Sequence, residues 1–392
     1  MATTPLQATR RIMLIAGESS GDRIAARAIR EARKLAASDS IALDVSGIGG
    51  DECEAEGMKC FHHAREMSVV GFVEVARRFR FFRNILIEMQ RRLEDPKTRP
   101  ELLVLVDYPG FNIRLAKTAK KLGIRVLYYV SPQVWAWHKE RVHELKQLVD
   151  EMFVIFPFEE KIYRDAGLHE SHFVGHPLVE RIDEERKMFS TKEKFATLFG
   201  LDATKPWLLV FAGSRREEVR RLLPKMADAA MQFGATHGMS PILVESGTIS
   251  SQEYSHALGG RAMSCFRDSG SAHELMYHAE LGILKSGTTT LEAALLGLPG
   301  VICYITHPLT YAIGKRVVKL PYIGLANIVI GQKIYPELLQ DEVTPENLVK
   351  ELQDVFDTRE SFRTELVGLS NALRSGEVTP SERVATRMVY GY

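Results

Sequence analysis

Asp107 ends the apolar run ELLVLVDYPGFN (101–112). A carboxylate at the dry end of an apolar strand is partly desolvated, which raises its pKa and suits it to accept a proton. The same spacing fits an Asp-turn before Pro109 and Gly110, and Asn112 is placed to orient the carboxylate in either case. A second apolar run, RIMLIAG (11–17), leads into GESSGD (17–22). Gly17 and Gly21 allow a tight turn, and the following helix offers unpaired N–H groups to an anion. Ser20 or Asp22 fits equally well as the cap of that helix, while Glu18 puts a carboxylate at the strand's end. In FAGSRREEV (211–219), Gly213, Ser214 and Arg215 join a strand end to a helix start, where dipole and guanidinium together suit a diphosphate. In KSGTTTLEAALLGLPGV (285–301), Ser286, Gly287 and Thr288 open a helix whose first N–H groups can take phosphate. Glu292, a turn further on, either closes a capping box with Thr289 or grips the diol of a ribose.

Two stretches mix aromatic and basic residues. In SPQVWAWHKERV (131–142), Trp135 and Trp137 share one face if the segment is extended, which makes either an aromatic wall or a core pair. MSVVGFVEVARRFRFFRNIL (67–86) interleaves Phe72, Phe79, Phe81 and Phe82 with Arg77, Arg78, Arg80 and Arg83. Adjacent phenylalanines cannot all join one buried stripe, so contact with an anionic membrane surface is the expectation. The alternative is a helix with its phenylalanines packed inward. A further basic stretch, TYAIGKRVVKLPY (310–322), can add to the same surface.

The elements that must position these residues are short apolar strands alternating with helical segments. This pattern means parallel sheets covered on both faces, hence an α/β fold. The alternation runs to about 180, pauses in the charged segment 179–202 and restarts at PWLLVFAGS (206–214). Two doubly wound domains are therefore expected, 1–180 and 181–358. A helical tail, 359–392, follows and either packs back on the first domain or is exchanged in a homodimer. In such folds ligands bind beyond the carboxyl ends of the strands, which is where the polar loops lie.

Composition narrows the function. The 392 residues carry 51 Lys+Arg against 50 Asp+Glu, so no global charge draws the chain to nucleic acid. None of the four cysteines forms a C-x-x-C pair, and Cys60, His62 and His63 match no zinc spacing. No D-x-D occurs, which argues against a sugar nucleotide held through a carboxylate-bound metal. No metal and no cofactor are expected, and arginine with helix dipoles is left to neutralise a leaving diphosphate. The N-terminal segment lacks a signal-peptide layout and no run reaches the ~18 apolar residues of a membrane span. The expected place is the cytoplasm, on the cytosolic face of a membrane.

Taken together, GESSGD, VDYPGFN, SPQVWAW, FPFE, FVGHPL, GSRREE, SGTTTLE and GLANIVIGQKIYPELLQ resemble the lipid-A-disaccharide synthase family, in the family's order and from Gly17 to Gln340. The resemblance implies a GT-B glycosyltransferase whose two Rossmann-like domains face a central cleft. Its implied reaction joins UDP-2,3-diacylglucosamine to 2,3-diacylglucosamine 1-phosphate, gives the β(1→6) disaccharide 1-phosphate with inversion, and releases UDP. It implies Asp107 as the base; Gly213, Ser214, Arg215, Ser286, Gly287, Thr288, Glu292, Asn327 and Gln340 around the donor; and Gly17, Glu18, Ser20, Gly21, Asp22, Asn112, Gln133, Trp135 and Trp137 around the acceptor and cleft. Acyl-chain substrates give the Phe/Arg segment a reason to meet the inner membrane as a peripheral contact. Ala212 and Ala326 stand where family members often have proline, which affects loop stiffness more than chemistry. The competing readings are another GT-B enzyme using UDP-N-acetylglucosamine, such as a 2-epimerase or a peptidoglycan-type transferase, and a non-catalytic membrane lipid-binding protein. The second leaves Asp107, Arg215 and Glu292 without a task.

Overall fold

The computed structural model describes residues 9–67, 79–135, 140–268, 270–307, 311 and 320–391. Two units divide the chain: one takes the residues up to Pro177 together with those from Leu373 onward, the other Leu178–Ala372.

In the first unit, β1 (Thr9–Ala16), β2 (Ala42–Gly49), β3 (Lys59–His63), β4 (Leu102–Val106), β5 (Arg125–Tyr129), β6 (Glu151–Val154) and β7 (Ser171–Phe173) form one sheet. Their order is β3-β2-β1-β4-β5-β6-β7, and every pairing is parallel. β4 is buried along its whole length, as a central strand with helices on both faces must be. In the second unit, β8 (Trp207–Phe211), β9 (Ser240–Val244), β10 (Ser264–Phe266), β11 (Leu281–Lys285), β12 (Gly300–Tyr304) and β13 (Glu337–Leu339) follow the order β10-β9-β8-β11-β12-β13, again all parallel. Strand order reverses between β1 and β4 in one sheet and between β8 and β11 in the other. Those are the two switch points, where connections leave in opposite directions and open a crevice at the strands' carboxyl ends.

β3 and β13 are too short and polar to have shown as apolar runs. β3 carries the Cys60–His63 cluster, and its histidines have protein partners: His62 Nε2 lies 2.9 Å from Glu88, and His63 Nε2 3.1 Å from Asp51.

The long helix Ser19–Ser38 buries Ala25, Ala28, Ile29, Ala32 and Ala36. The four alanines allow close packing, and the C-terminal helix Pro380–Tyr390 lies against this helix. That return is pinned by side-chain bonds: Arg387 Nε reaches both Glu151 carboxylate oxygens at 3.0 Å, and Tyr390 donates to Asp39 at 2.6 Å. The segment read as one tail from 359 therefore divides. Helix Arg359–Ala372 stays with the second unit, where Arg359 and Arg363 reach Glu280 at 2.8 and 3.0 Å, and only the residues from Leu373 return to the first.

Helix Phe79–Glu94 holds part of the Phe/Arg segment. Phe81 and Phe82 pack partly buried against the first unit's core, while Arg80 and Arg83 are exposed. Phe72, Arg77, Arg78 and the Phe79 side chain lie outside the described residues, as does Trp137. Among the described residues no helix is long and apolar enough to cross a membrane.

Candidate active site

Each unit presents its polar loops at its own switch point. In the first unit the turn after β4 is strained: Asp107 and Tyr108 both have φ 46°, and Val130 after β5 has φ 61°. Consecutive L-residues in this region persist only when their surroundings hold them there. Here they do. The Asp107 N–H donates to Tyr129 O at 3.1 Å. Asp107 O accepts from the Tyr128 hydroxyl at 2.5 Å and from Asn112 Nδ2 at 2.8 Å. Tyr108 is tied down through its hydroxyl to Met67 O at 3.0 Å, with its ring against Gly17. Asn112 thus orients the backbone of the turn rather than the carboxylate itself.

The turn directs Asp107 to a cavity of about 370 Å³, lined also by Ser131, Gln133, Arg141, Phe156 and Glu159. Burial first, then the nearby Glu18 charge, raises the Asp107 pKa to about 6, against a smaller lowering by the Tyr108 N–H. Glu159 is buried too and accepts from Trp135 Nε1 at 2.8 Å and from the N–H groups of Ile155 and Phe156 at 3.3 and 3.1 Å. Burial outweighs these bonds and pushes its pKa up to about 7. Trp135 does not line the cavity. It stands behind it, bonded to Glu159 and edge-on to Phe158 with centroids 5.3 Å apart. Sequence reasoning gave Glu159, Ser131 and Val130 no role, and Arg141 only a place among the basic residues of the stretch 131–142. The signal available was the conjunction of FPFE with the Trp motif, but not the bond between them.

Asp22 is corrected. Its carboxylate is buried and turned away from the β1 loop, accepting the N–H groups of Gly50 at 2.6 Å and of Glu52 and Cys53 at 3.2 Å. It caps the helix Asp51–Ala55 instead of lining a ligand site or capping its own helix. Glu18 occupies the N-cap position of helix Ser19–Ser38 without a side-chain bond, and Glu18 and Ser20 are exposed; Gly17 and Gly21 are buried.

In the second unit, β8 leads to Gly213, whose φ is 111° and whose absent Cβ leaves room for Glu218. The loop is fixed by Tyr254, which donates to Gly213 O at 3.1 Å, and by Thr248, which donates to Ser214 O at 2.8 Å. Arg215 is the N-cap of helix Arg216–His237 and is largely exposed. Lys285, at the end of β11, pairs with Glu218 at 2.9 Å, so β8 and β11 bring two cations and two helix N-termini to one switch point. That is an anion-binding arrangement. Ser286 contributes less than expected. Its N–H is taken by Cys303 O at 3.0 Å and its hydroxyl donates to Ile323 O at 3.0 Å, leaving the N–H groups of the helix that starts at Thr288.

The capping box does not form: Gly287 is the N-cap, without a side-chain bond. Glu292 instead faces His273 Nε2 at 3.6 Å.

Asn327 and Gln340 are bonded to the protein's own backbone. Asn327 is fully buried. Its Oδ1 accepts from Ile334 and Tyr335 N–H at 3.0 and 2.9 Å, and its Nδ2 donates to Tyr335 O and Glu337 at 2.8 Å. All four of its hydrogen-bonding sites are spent inside the protein. The Gln340 amide pairs with the backbone of Thr306, accepting at 2.8 Å and donating at 3.3 Å, so it braces the loop after β12.

The two doubly wound parallel-sheet units define a GT-B type of fold. Solved structures with this architecture include UDP-GlcNAc 2-epimerase from Neisseria meningitidis bound to UDP-GlcNAc, at TM-score 0.61, 12% identity and 98% of both chains. The calicheamicin glycosyltransferase CalG4 is similar at TM-score 0.59, 14% identity and 97% of both chains. At such identities the likeness shows the fold alone. The family model for lipid-A-disaccharide synthetase matches residues 12–381. Lipid-A-disaccharide synthases are similar from Trichlorobacter lovleyi (40% identical, 94% of both chains), Geobacter metallireducens (38%, 98% of this chain and 97% of the relative) and Myxococcus xanthus (36%, 96% of both). The chain belongs to the lipid-A-disaccharide synthase family and is a glycosyltransferase of lipid A biosynthesis. The epimerase and lipid-binding readings are not favoured.

Proposed function

We propose that the first unit binds 2,3-diacylglucosamine 1-phosphate in the cavity at Asp107, and that the second binds UDP-2,3-diacylglucosamine at its switch point. Asp107 takes the proton from the acceptor 6-hydroxyl. The resulting oxygen attacks the donor's anomeric carbon from the face opposite the diphosphate, the bond to the diphosphate oxygen breaks, and UDP leaves with its electron pair. The product is the β(1→6) disaccharide 1-phosphate. Arg215, Lys285 and the two helix N-termini take up the charge that develops on the leaving diphosphate. Glu292 accepts from the ribose hydroxyls. The observation that carries this reading is the strained, four-point-held turn that presents a carboxylate of raised pKa to a cavity.

Because both substrates carry acyl chains, the enzyme works peripherally at the cytosolic face of the inner membrane, with Arg80 and Arg83 in the contact. Incubating the protein with both substrates in mixed micelles, without added metal, tests the reaction. Mass spectrometry should find the disaccharide phosphate together with an equal amount of UDP. Hydrolysis of the donor without the disaccharide would refute the assignment. Anionic vesicles should retain the wild type and release the double variant R80E/R83E; equal retention would remove these arginines from the contact.

A further inference from the structure

His273, on the helix Ala272–His278, has a buried side chain that neither the sugar nor the phosphate chemistry above uses. Its Nδ1 is hydrogen-bonded to Glu185 Oε2, and its Nε2 faces Glu292 Oε1 at 3.6 Å. Glu185 is in turn held by Arg181 Nε at 2.7 Å. Arg181, Glu185, His273 and Glu292 therefore form a chain of alternating charge across three helices. The other titratable groups on the histidine's helix face elsewhere: Glu274 accepts from Ser190, Tyr277 packs its ring against Phe189 and Arg186, and His278 lies 3.8 Å from Glu274. A neutral imidazole offers one N–H and one lone pair, so only the protonated ring serves a carboxylate on each side. At 3.6 Å the contact with Glu292 is an ion pair longer than a hydrogen bond. It orients that carboxylate by charge and leaves its oxygens able to accept from other donors. The Glu292 side chain is 22% exposed, enough to meet a ligand.

We propose that His273 is a positioning residue, clamped from behind by Glu185, that holds Glu292 in the orientation needed to accept both hydroxyls of the donor's ribose. The proposal rests on the reading of Glu292 as the ribose ligand. Burial alone would lower the histidine's pKa, but the bonds and charges of Glu185 and Glu292 outweigh it and raise the value to about 9. The ring is therefore charged at neutral pH, and the clamp is released as pH rises through about 9.

Calorimetric titration of the full-length protein with UDP and with 2′-deoxy-UDP isolates the ribose contact, because the uracil and diphosphate are common to both probes. The wild type should prefer UDP by about tenfold or more, as expected for a hydrogen bond to a charged acceptor. Glu292→Gln should abolish most of that preference. Glu185→Gln and His273→Gln should each reduce it several-fold while leaving affinity for 2′-deoxy-UDP unchanged. The wild type's preference should fall as pH passes about 9, a readout that needs no variant to fold. If Glu292→Gln abolishes the preference while both other variants and high pH preserve it, His273 has no positioning role. If Glu292→Gln itself keeps the preference, the ribose reading fails and the proposal with it.

Discussion

Asp107 carries a conflict between folding and chemistry, and the conflict is measurable. Its pKa rises from 3.8 to about 6 in the folded protein. The native state therefore binds this proton more tightly than the unfolded chain, and stability is lost as pH rises from about 4 through about 6. A shift of about two units corresponds to something on the order of 3 kcal/mol once both states are ionised. Asp107→Asn should thus lower kcat by roughly two or more orders of magnitude. It should also raise the melting temperature at pH 8, with the gain vanishing near pH 3.5. A melting temperature that falls equally at both pH values would show that the carboxylate is not strained by its site. For the wild type, kcat/KM should rise with pH through about 6 as the base form appears. Asn327 is the opposite case. Asn327→Ala leaves the N–H groups of Ile334 and Tyr335 without their acceptor and should cost about 2–4 kcal/mol of stability, while the folded fraction keeps its UDP affinity. Denaturant unfolding and UDP titration on the same sample separate the two effects. These two residues also show what the sequence could and could not tell. A carboxylate after LLVLV is legible because the strand itself says where it ends. Asp22 and Asn327 lie in helices and Gln340 in the turn after β13, but the backbone groups they serve come from Gly50, Ile334 and Thr306, and no local pattern reveals which N–H will be near.

At the scale of elements, the alternation of strand and helix was legible because buried parallel strands must be apolar on both faces, as β4, β8 and β11 are. The pairing order was not read from the sequence, yet it explains why loops some 90 residues apart in the chain matter together: β1 lies beside β4, so the turns at Gly17 and Asp107 touch. Their contact is direct. A Cβ on Gly17 would come within 2.6 Å of the Tyr108 ring, whose hydroxyl is already fixed to Met67 O. The ring cannot yield without turning the residue next to Asp107. Gly17→Ala should therefore lower kcat by about ten- to a hundredfold with the circular dichroism spectrum retained, since a misplacement of about 1 Å at a reacting group has that effect. Unchanged kcat would mean that the ring and the carboxylate move independently. The short elements escaped notice for a related reason. β3 and β13 are five and three residues long and draw their burial from neighbours, not from their own composition.

At the scale of the molecule, each unit has its own sheet and, on the proposed function, its own half of the chemistry, so ligand and mutation should address them separately. UDP is proposed to bind the second unit, whereas the pair of Arg387 with the buried Glu151 ties the returning C-terminal helix to the first. A ligand at about a hundred times its Kd stabilises the unit it binds by about 2.7 kcal/mol. Removing one partner of a buried ion pair leaves the other charge stranded and costs about 3 kcal/mol or more. Scanning calorimetry of the full chain should accordingly show two transitions. UDP should raise one and leave the other in place, and Arg387→Ala should lower the one that UDP does not raise. If UDP and Arg387→Ala act on the same transition, the donor does not bind where Arg215, Lys285 and Glu292 lie, or the two units unfold as one.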